Sequence, residues 1–416
     1  MSSLQKNLLK SKLSTSFTPD QVIPEEADHA YEQDDDDDEQ AASDTSPMSP
    51  SANTAPAEFA VPARRPRKQN YTATPWTAYW GASSSPHLST PPCAFKVYYT
   101  APTPSASKSP TWFIFHHGAG SSGLTFSLLA ARLHESLPEV GVLAYDARSH
   151  GATRPVDQDE GDASLDTLVR DFVNIVAYAM GLSPVPLHDN KPVEVVIVGH
   201  SLGGAVVTDA IRRLSEFWPS GDIPKPVILG LVVLDVVEGS ALEGLGSMRT
   251  YLASRPQYFR SLEQGIRWHV KSHTVRNPVS ASVSVPGIIQ QGSDGRHYWV
   301  TDLSSTEPFW KSWFTDLSSK FLDARSGKML VLAGTDRLDK KLTIGQMQGK
   351  YQLEVLPEVG HFIQEDAPEK LAALLEQFWH RNRRGAAEEM KALNANSHAW
   401  GPSGLPAPAV MPRPNP

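Results

Sequence analysis

The stretch VEVVIVGHSLGGAVVTDAI, Val193 to Ile211, decides the fold. Val193–Val198 is a short β-rich run, and Gly204–Ile211 opens a helical pattern. Between them Gly199-His200-Ser201-Leu202-Gly203 fits G-x-S-x-G. A serine on a tight strand-to-helix turn projects its hydroxyl above a sheet. Residues without bulk two places before and two places after it let the chain pass itself in that turn. The helix that follows aims its N-terminal N–H groups and positive dipole end at developing negative charge. Ser201 is therefore the candidate nucleophile; the alternative is a turn serine that only caps the helix.

The alternation of strand and helix continues outward in both directions. Strands are expected at Phe95–Thr100, Trp112–His116, Val142–Asp146, Val227–Asp235, Met329–Ala333 and Gln352–Leu356, with helical segments near 123–136, 164–181, 202–216 and 366–383. Most of the strands are continuous apolar runs, as expected where both faces are buried. The fold class that follows is α/β, a mainly parallel sheet with helices on both faces. One interval breaks the rhythm. From about Ser240 to Lys328 there is no clear core strand, yet the segment is rich in aromatics, among them Tyr251, Phe259, Trp268, Trp299 and Trp310. An insertion of that length reads as a cap over the sheet, with ordinary core packing the plainer role for many of its rings.

Composition bounds the rest. Lys and Arg number 38 against 46 Asp and Glu, a formal charge of −8. Residues 1–70 hold 13 acids and 7 bases, so that segment carries −6 and the remaining chain is nearly neutral. Whole-chain charge thus gives no case for nucleic-acid binding. The 34 prolines are about 8% of 416 residues, above the usual ~5%, and they concentrate at the ends. Residues 1–70, with the acidic block Asp34–Glu39, and residues 384–416, ending GPSGLPAPAVMPRPNP, read as disordered tails. That leaves an α/β core over 71–239 and 329–383 and a cap over 240–328. Cys93 is the sole cysteine, which excludes an intrachain disulfide and a cysteine-based zinc cage. The first residues lack the apolar core of a signal peptide. The longest apolar run, Val227 to Leu234, falls far short of the ~20 residues a bilayer needs. A soluble intracellular protein, with no membrane partner, no metal and no cofactor, is the expectation.

Three further groups complete the candidate site. The run Phe113 to Ser121, FIFHHGAGS, is a strand entering a His-Gly-rich loop of the oxyanion type. The oxyanion donors expected are the backbone N–H groups of Leu202 and Ala119, against a plain Gly-rich turn; His116 and His117 read as packing or hydrogen-bonding residues. His361, in Glu354–Phe362, follows the last core strand and precedes a helix, so it is the candidate base, ahead of His150, His200 and His269. For the acid the residues leave two regions open. Asp235 ends the buried run Val227–Leu234, while Asp336 and Asp339 follow Met329–Ala333. Both satisfy the chain order serine, acid, histidine.

Read together, several stretches resemble the protein phosphatase methylesterase family: TPWTAYW (Thr74–Trp80), HHGAGSSGLTFS (His116–Ser127), GHSLGGAVV (Gly199–Val207), VVLDVVEGSALEGLGSM (Val232–Met248), and the long block from Leu332 to Ala372 containing DRLDKKLTIGQMQGK and EVGHFIQEDAPEKLA. The similarity spans about residues 72–383. It implies an α/β-hydrolase fold and a serine carboxylesterase that removes the methyl ester from the C-terminal leucine of the type-2A protein phosphatase catalytic subunit. It also implies that the acid is the aspartate of D-V-V-E-G, Asp235, which leaves Asp336 and Asp339 structural roles. The phosphatase is the implied partner and the cytoplasm or nucleus the implied compartment, with Arg64–Lys68 either an import signal or a basic linker. The competing readings are a small-molecule esterase or lipase of the same fold, and a phosphatase-binding module with incidental chemistry.

Overall fold

The computed structural model describes residues 71–88, 92–103, 109–156, 161–182, 192–334 and 338–399. The expected tail 1–70, with its acidic block and Arg64–Lys68, lies outside the described residues, as does Asp336. An eight-stranded sheet forms the centre: β1 (Ala82–Ser84), β2 (Val97–Thr100), β3 (Thr111–His116), β4 (Val140–Tyr145), β5 (Glu194–His200), β6 (Val227–Leu234), β7 (Gly327–Leu332) and β8 (Gln352–Val355). Their spatial order is β1-β2-β4-β3-β5-β6-β7-β8. The pairs from β4 through to β8 are parallel, and only β1 and β2 join antiparallel at one edge. The mainly parallel α/β architecture is the expected one. The short edge strand β1 and a small three-stranded sheet of dipeptides (His87–Leu88, Cys93–Ala94, Arg154–Pro155) carry too little periodicity to be read beforehand.

Successive strand residues feed opposite layers, which explains the continuous apolar runs. Trp112, Ile114, Val195, Ile197, Leu231 and Val233 pack on one side with α2 (Leu165–Gly181) and α3 (Leu202–Phe217). Phe113, Phe115, Val196, Val198, Val232 and Leu234 pack on the other with α1 (Ser127–Ser136) and the last helix, Pro368–Ala399. Each run is apolar at every position because both faces are covered.

Between β6 and β7 the chain adds no strand to this sheet. It runs through α4 (Glu238–Ser254), α5 (Leu262–Lys271), α6 (Pro278–Ser284), a hairpin of Ile289–Gln291 and His297–Trp299, α7 (Trp310–Phe314) and α8 (Leu317–Asp323). Its aromatics divide by role. Trp310, Trp313 and Phe314 are buried in the same cluster as α2 and α3. Phe259, Trp268, His269 and Trp299 form a separate group with ring centroids 4.9–6.4 Å apart. After β7 come α9 (Lys340–Met347) and, beyond β8, the short α10 (Ile363–Asp366).

The C-terminal boundary differs from the expectation. The last helix, α11 (Pro368–Ala399), continues past Arg383, where a Pro-rich tail was expected to begin. The physical reason is local: GAAEEMKALNANSHA after Arg384 is dominated by Ala, Glu, Met, Lys and Leu, which favour helix, and proline first returns at Pro402.

Candidate active site

β5 ends at His200, and Ser201 takes φ 52° before α3 begins at Leu202. A non-glycine residue in that region is strained, and the flanking glycines make the turn possible. A Cβ on Gly199 would lie 2.3 Å from the Gly203 carbonyl oxygen, and one on Gly203 would lie 2.2 Å from that of His116. Neither position can hold a side chain. The Ser201 N–H donates to the Leu234 carbonyl at 3.0 Å, which ties this elbow to the end of β6.

Asp235 follows at once, because His200 and Leu234 are register partners in β5 and β6. It too has a left-handed backbone, φ 49°. Its N–H donates to the Val331 carbonyl at 2.8 Å, and its Oδ1 accepts the Ala333 N–H at 2.9 Å. Backbone and carboxylate of Asp235 are thus both tied to the end of β7, and the residue is buried. Its Oδ2 lies 2.7 Å from His361 Nδ1, with the aspartate side chain fully buried and the imidazole 28% exposed. This pairing holds Nδ1–H toward the acid and leaves Nε2 on the far side of the ring, the orientation a general base requires. The structure therefore brings Asp235, and not Asp339, to His361. Asp339 is the N-cap of α9: its Oδ1 accepts the Leu342 N–H at 2.9 Å, and Ser318 donates to its other oxygen.

Two histidines that sequence reading ranked below His361 turn out to hold the site together. His200 Nε2–H donates to the His361 carbonyl at 2.9 Å, and the two rings lie 4.7 Å apart. The residue beside the serine therefore anchors the loop that carries the histidine, across 161 positions of chain. Burial lowers its imidazole to about 3, so it stays neutral and keeps the Nε2–H tautomer. His150 accepts the Gly120 N–H on Nε2 at 3.0 Å and donates from Nδ1 to the Arg148 carbonyl at 2.8 Å. His117 does the same one turn away, accepting from Ala147 at 2.9 Å and donating to Gly118 at 2.7 Å. Burial lowers His150 to about 4 and His117 well below its ordinary value. No local motif announces this role, because each ring also makes one bond to a residue 30 or more positions away.

These two rings shape the loop over the serine. A Cβ on Gly118 would lie 3.0 Å from Ser201 Cβ, so the loop crosses directly above the elbow. The N–H of Gly120 goes to His150, and that of Ser121 to the Gly118 carbonyl at 3.2 Å. Ala119 lies just before Gly120 in the same loop. On the other side Leu202 is the first residue of α3, where an N–H has no partner within its own helix. The expected donors thus belong to the loop that crosses the elbow and to the first turn of the helix that leaves it.

Comparison with known proteins bears on the family and the fold. Residues 113–374 match the model of the alpha/beta hydrolase family. Among solved structures, E-2-(acetamidomethylene)succinate hydrolase superposes with a TM-score of 0.54 at 17% identity, covering 71% of this chain and 99% of its own, and a peroxisomal alpha-beta-hydrolase of Saccharomyces cerevisiae does so with 0.50 at 14%, covering 77% and 97%. At such identities the likeness is one of fold. The sequence relatives are much closer. Proteins named protein phosphatase methylesterase 1 are 46% identical in Gibberella zeae (79% of this chain, 79% of that one), 50% in Aspergillus fumigatus (70% and 67%) and 47% in Schizosaccharomyces pombe (69% and 78%). The chain belongs to the protein phosphatase methylesterase family of alpha/beta hydrolases. It is a carboxylic ester hydrolase. No helix among the described residues is long and apolar enough to cross a membrane.

Proposed function

We propose that the enzyme hydrolyses the methyl ester on the C-terminal leucine of the type-2A protein phosphatase catalytic subunit, with Ser201, His361 and Asp235 as its triad. The observation that carries this is the 2.7 Å bond from His361 Nδ1 to the buried Asp235, beside a serine in a strained elbow at the neighbouring strand end. His361 Nε2 takes the Ser201 proton as the hydroxyl oxygen bonds to the ester carbonyl carbon. The carbonyl oxygen becomes an oxyanion, stabilised by the N–H groups of Leu202 and Ala119. When the tetrahedral adduct collapses, the bond to methoxide breaks and imidazolium supplies the proton, so methanol departs. Water then enters, gives its proton to His361 and cleaves the acyl-serine by the reverse sequence, leaving the free leucine carboxylate.

The leaving group is small and the acyl part is a protein terminus, so recognition falls to the acyl side. The insertion 240–328 is the wall we assign to that groove. It reaches the oxyanion loop, since Leu303 packs on Gly120 and the Thr301 hydroxyl donates to the Ser149 carbonyl at 3.1 Å. The phosphatase reading places the enzyme where that partner is found, in the cytoplasm or nucleus. The test is release of methanol from methylated phosphatase by the wild type and by Ser201→Ala. Equal release by both would remove Ser201 from the mechanism. Rapid cleavage of p-nitrophenyl esters with no action on methylated phosphatase would favour the small-molecule esterase instead.

A further inference from the structure

One turn beyond His361, the short helix α10 carries a carboxyl group that the reaction does not use. Glu365 is buried, 2% exposed, and no cation pairs with it among the described residues. Its partners are two hydroxyls from distant parts of the chain. Thr125 Oγ1 donates to Oε1 at 2.5 Å, and Ser284 Oγ donates to Oε2 at 2.6 Å. Thr125 belongs to the 3-10 turn Gly123–Phe126 that continues the oxyanion loop, and Ser284 closes α6 of the insertion. Ser280, also on α6, donates to the Glu365 backbone carbonyl at 2.7 Å. The next residue extends the joint: Asp366 accepts the Gly360 N–H at 2.7 Å, beside His361, and the Arg276 N–H at 2.8 Å, just before α6. Oxyanion loop, histidine loop and insertion therefore converge on two consecutive side chains.

A glutamine would fill this space at less cost than a group that must be either desolvated as an anion or protonated. We propose that Glu365 is a positioning residue that clamps the insertion to the His361 loop while its carboxyl is protonated, with Thr125 still donating to Oε1 and the carboxyl's own proton turned to the Ser284 hydroxyl oxygen, and that ionisation loosens this clamp. The first effect on the carboxyl is desolvation, and Asp366 beside it acts in the same direction; together they outweigh the two hydroxyls and bring Glu365 to about 7. From α6 it meets Ser280 and Ser284, from the 3-10 turn Thr125, and on α10 itself Asp366 and Gln364. Arg276 stands beside Asp366, 4.0 Å from its Oδ2, and Arg132 of α1 and Glu369 of α11 pair with each other at the surface. A group whose pKa is raised on burial favours the buried state below its free value and loses that preference as pH rises through the bound value. The closed seam is accordingly firm near pH 5.5 and weaker near pH 8.

The consequence for catalysis rests on the reading of the insertion as the substrate wall, but the clamp itself does not. The experiment therefore has two arms on the full-length chain. In the first, thermal unfolding is followed from pH 5 to pH 8 for wild type and Glu365→Gln. Glutamine reproduces the protonated form, so the variant should match wild type near pH 5 and unfold at a higher temperature near pH 8. A difference that is the same at every pH overturns the clamp. In the second, kcat and KM are measured over the same range for methylated phosphatase and for p-nitrophenyl acetate. Dividing one kcat/KM by the other cancels whatever pH dependence the two substrates share in the chemical step. In wild type that ratio should fall with rising pH by about 10-fold, the scale of an ordinary coupling between sites, with the change in KM. Glu365→Gln should hold the low-pH ratio throughout, and Glu365→Ala should hold the high-pH one. Success of the first arm with a flat wild-type ratio keeps the clamp and removes the insertion from substrate recognition.

Discussion

The two loops that flank Ser201 are secured by opposite chemistries. On the oxyanion side the chain from His116 to Gly120 is pinned mainly by buried imidazoles, with His117 and His150 each accepting one backbone N–H and donating to one carbonyl. On the base side the chain from Gly360 to Asp366 is pinned by buried carboxyls, Asp235, Glu365 and Asp366. Asp146 is the exception on the first side, accepting from Gly123 and Ala152 at 2.8 Å. Desolvation drives both kinds of group toward neutrality, but it does so in opposite directions: His150 falls to about 4, while Glu365 rises to about 7. The oxyanion side therefore meets its limit in acid, and the base side meets one near neutrality.

The sharpest way to break this picture is at its centre. Ser201→Ala should lower kcat by about 10⁶, the scale seen when a triad nucleophile is removed, measured as methanol release with the fold checked by circular dichroism. On the base side, Asp235→Asn should cost about 10⁴ in kcat, because the amide would hold the wrong imidazole tautomer. Asp339→Asn is its control. That side chain caps α9, and asparagine caps as well as aspartate, so kcat should stay within about twofold. If the losses were reversed, the hydrogen bond between Asp235 and His361 would not be the working one.

That pair of aspartates marks where sequence reading stopped. Ser201 and His361 were legible as candidates because each sits in local punctuation, glycine beside a strand end, that few other positions share. The candidate acid was not legible from the residues, since two strands are each followed by aspartate, at once in Asp235 and after a short loop in Asp336 and Asp339, and both regions satisfy the chain order. The family resemblance chose Asp235. The structure gives the reason in terms of sheet register: β6 lies next to β5, so Leu234 faces His200 and the next residue emerges beside the serine. Strand order is a property of long-range pairing, which no single stretch encodes. The same holds for His150, His200 and Glu365, whose partners lie 30, 161 and up to 240 positions away. The helical run beyond Arg383 was legible in principle, but it was overshadowed by the prolines that follow it.

On the oxyanion side, a milder disruption is His150→Ala. It leaves both donor N–H groups in place and removes only the acceptor that orients Gly120. The loss in kcat should be about 10-fold, below the ~10²–10³ that follows deletion of a donor itself. It should appear equally with methylated phosphatase and with p-nitrophenyl acetate, since both substrates develop the same oxyanion. A loss confined to phosphatase would place the defect in the insertion, through Leu303 on Gly120, rather than in the hole.

His150→Gln probes the same contact with a smaller change, because the amide oxygen can still accept from Gly120. Its effect should show in the dependence of stability on acid. In the folded chain burial keeps His116 and His150 neutral to about pH 4 and His200 to about pH 3, whereas unfolded imidazoles take up protons near 6.5. The unfolded state then binds more protons than the folded one, so this contribution is whole above pH 6.5 and shrinks as pH falls toward 4. Each such imidazole adds roughly 1.4 kcal/mol per pH unit to that slope. Urea unfolding at pH 6.5, 5.5 and 4.5 should find the variant losing stability less steeply than wild type by about one imidazole's share. Glu365→Gln acts at the other loop and should leave the slope contributed by these histidines intact. If His150→Gln also left it intact, the ring would be taking up its proton within the fold, and the oxyanion loop would owe its shape to Asp146 and the glycines alone.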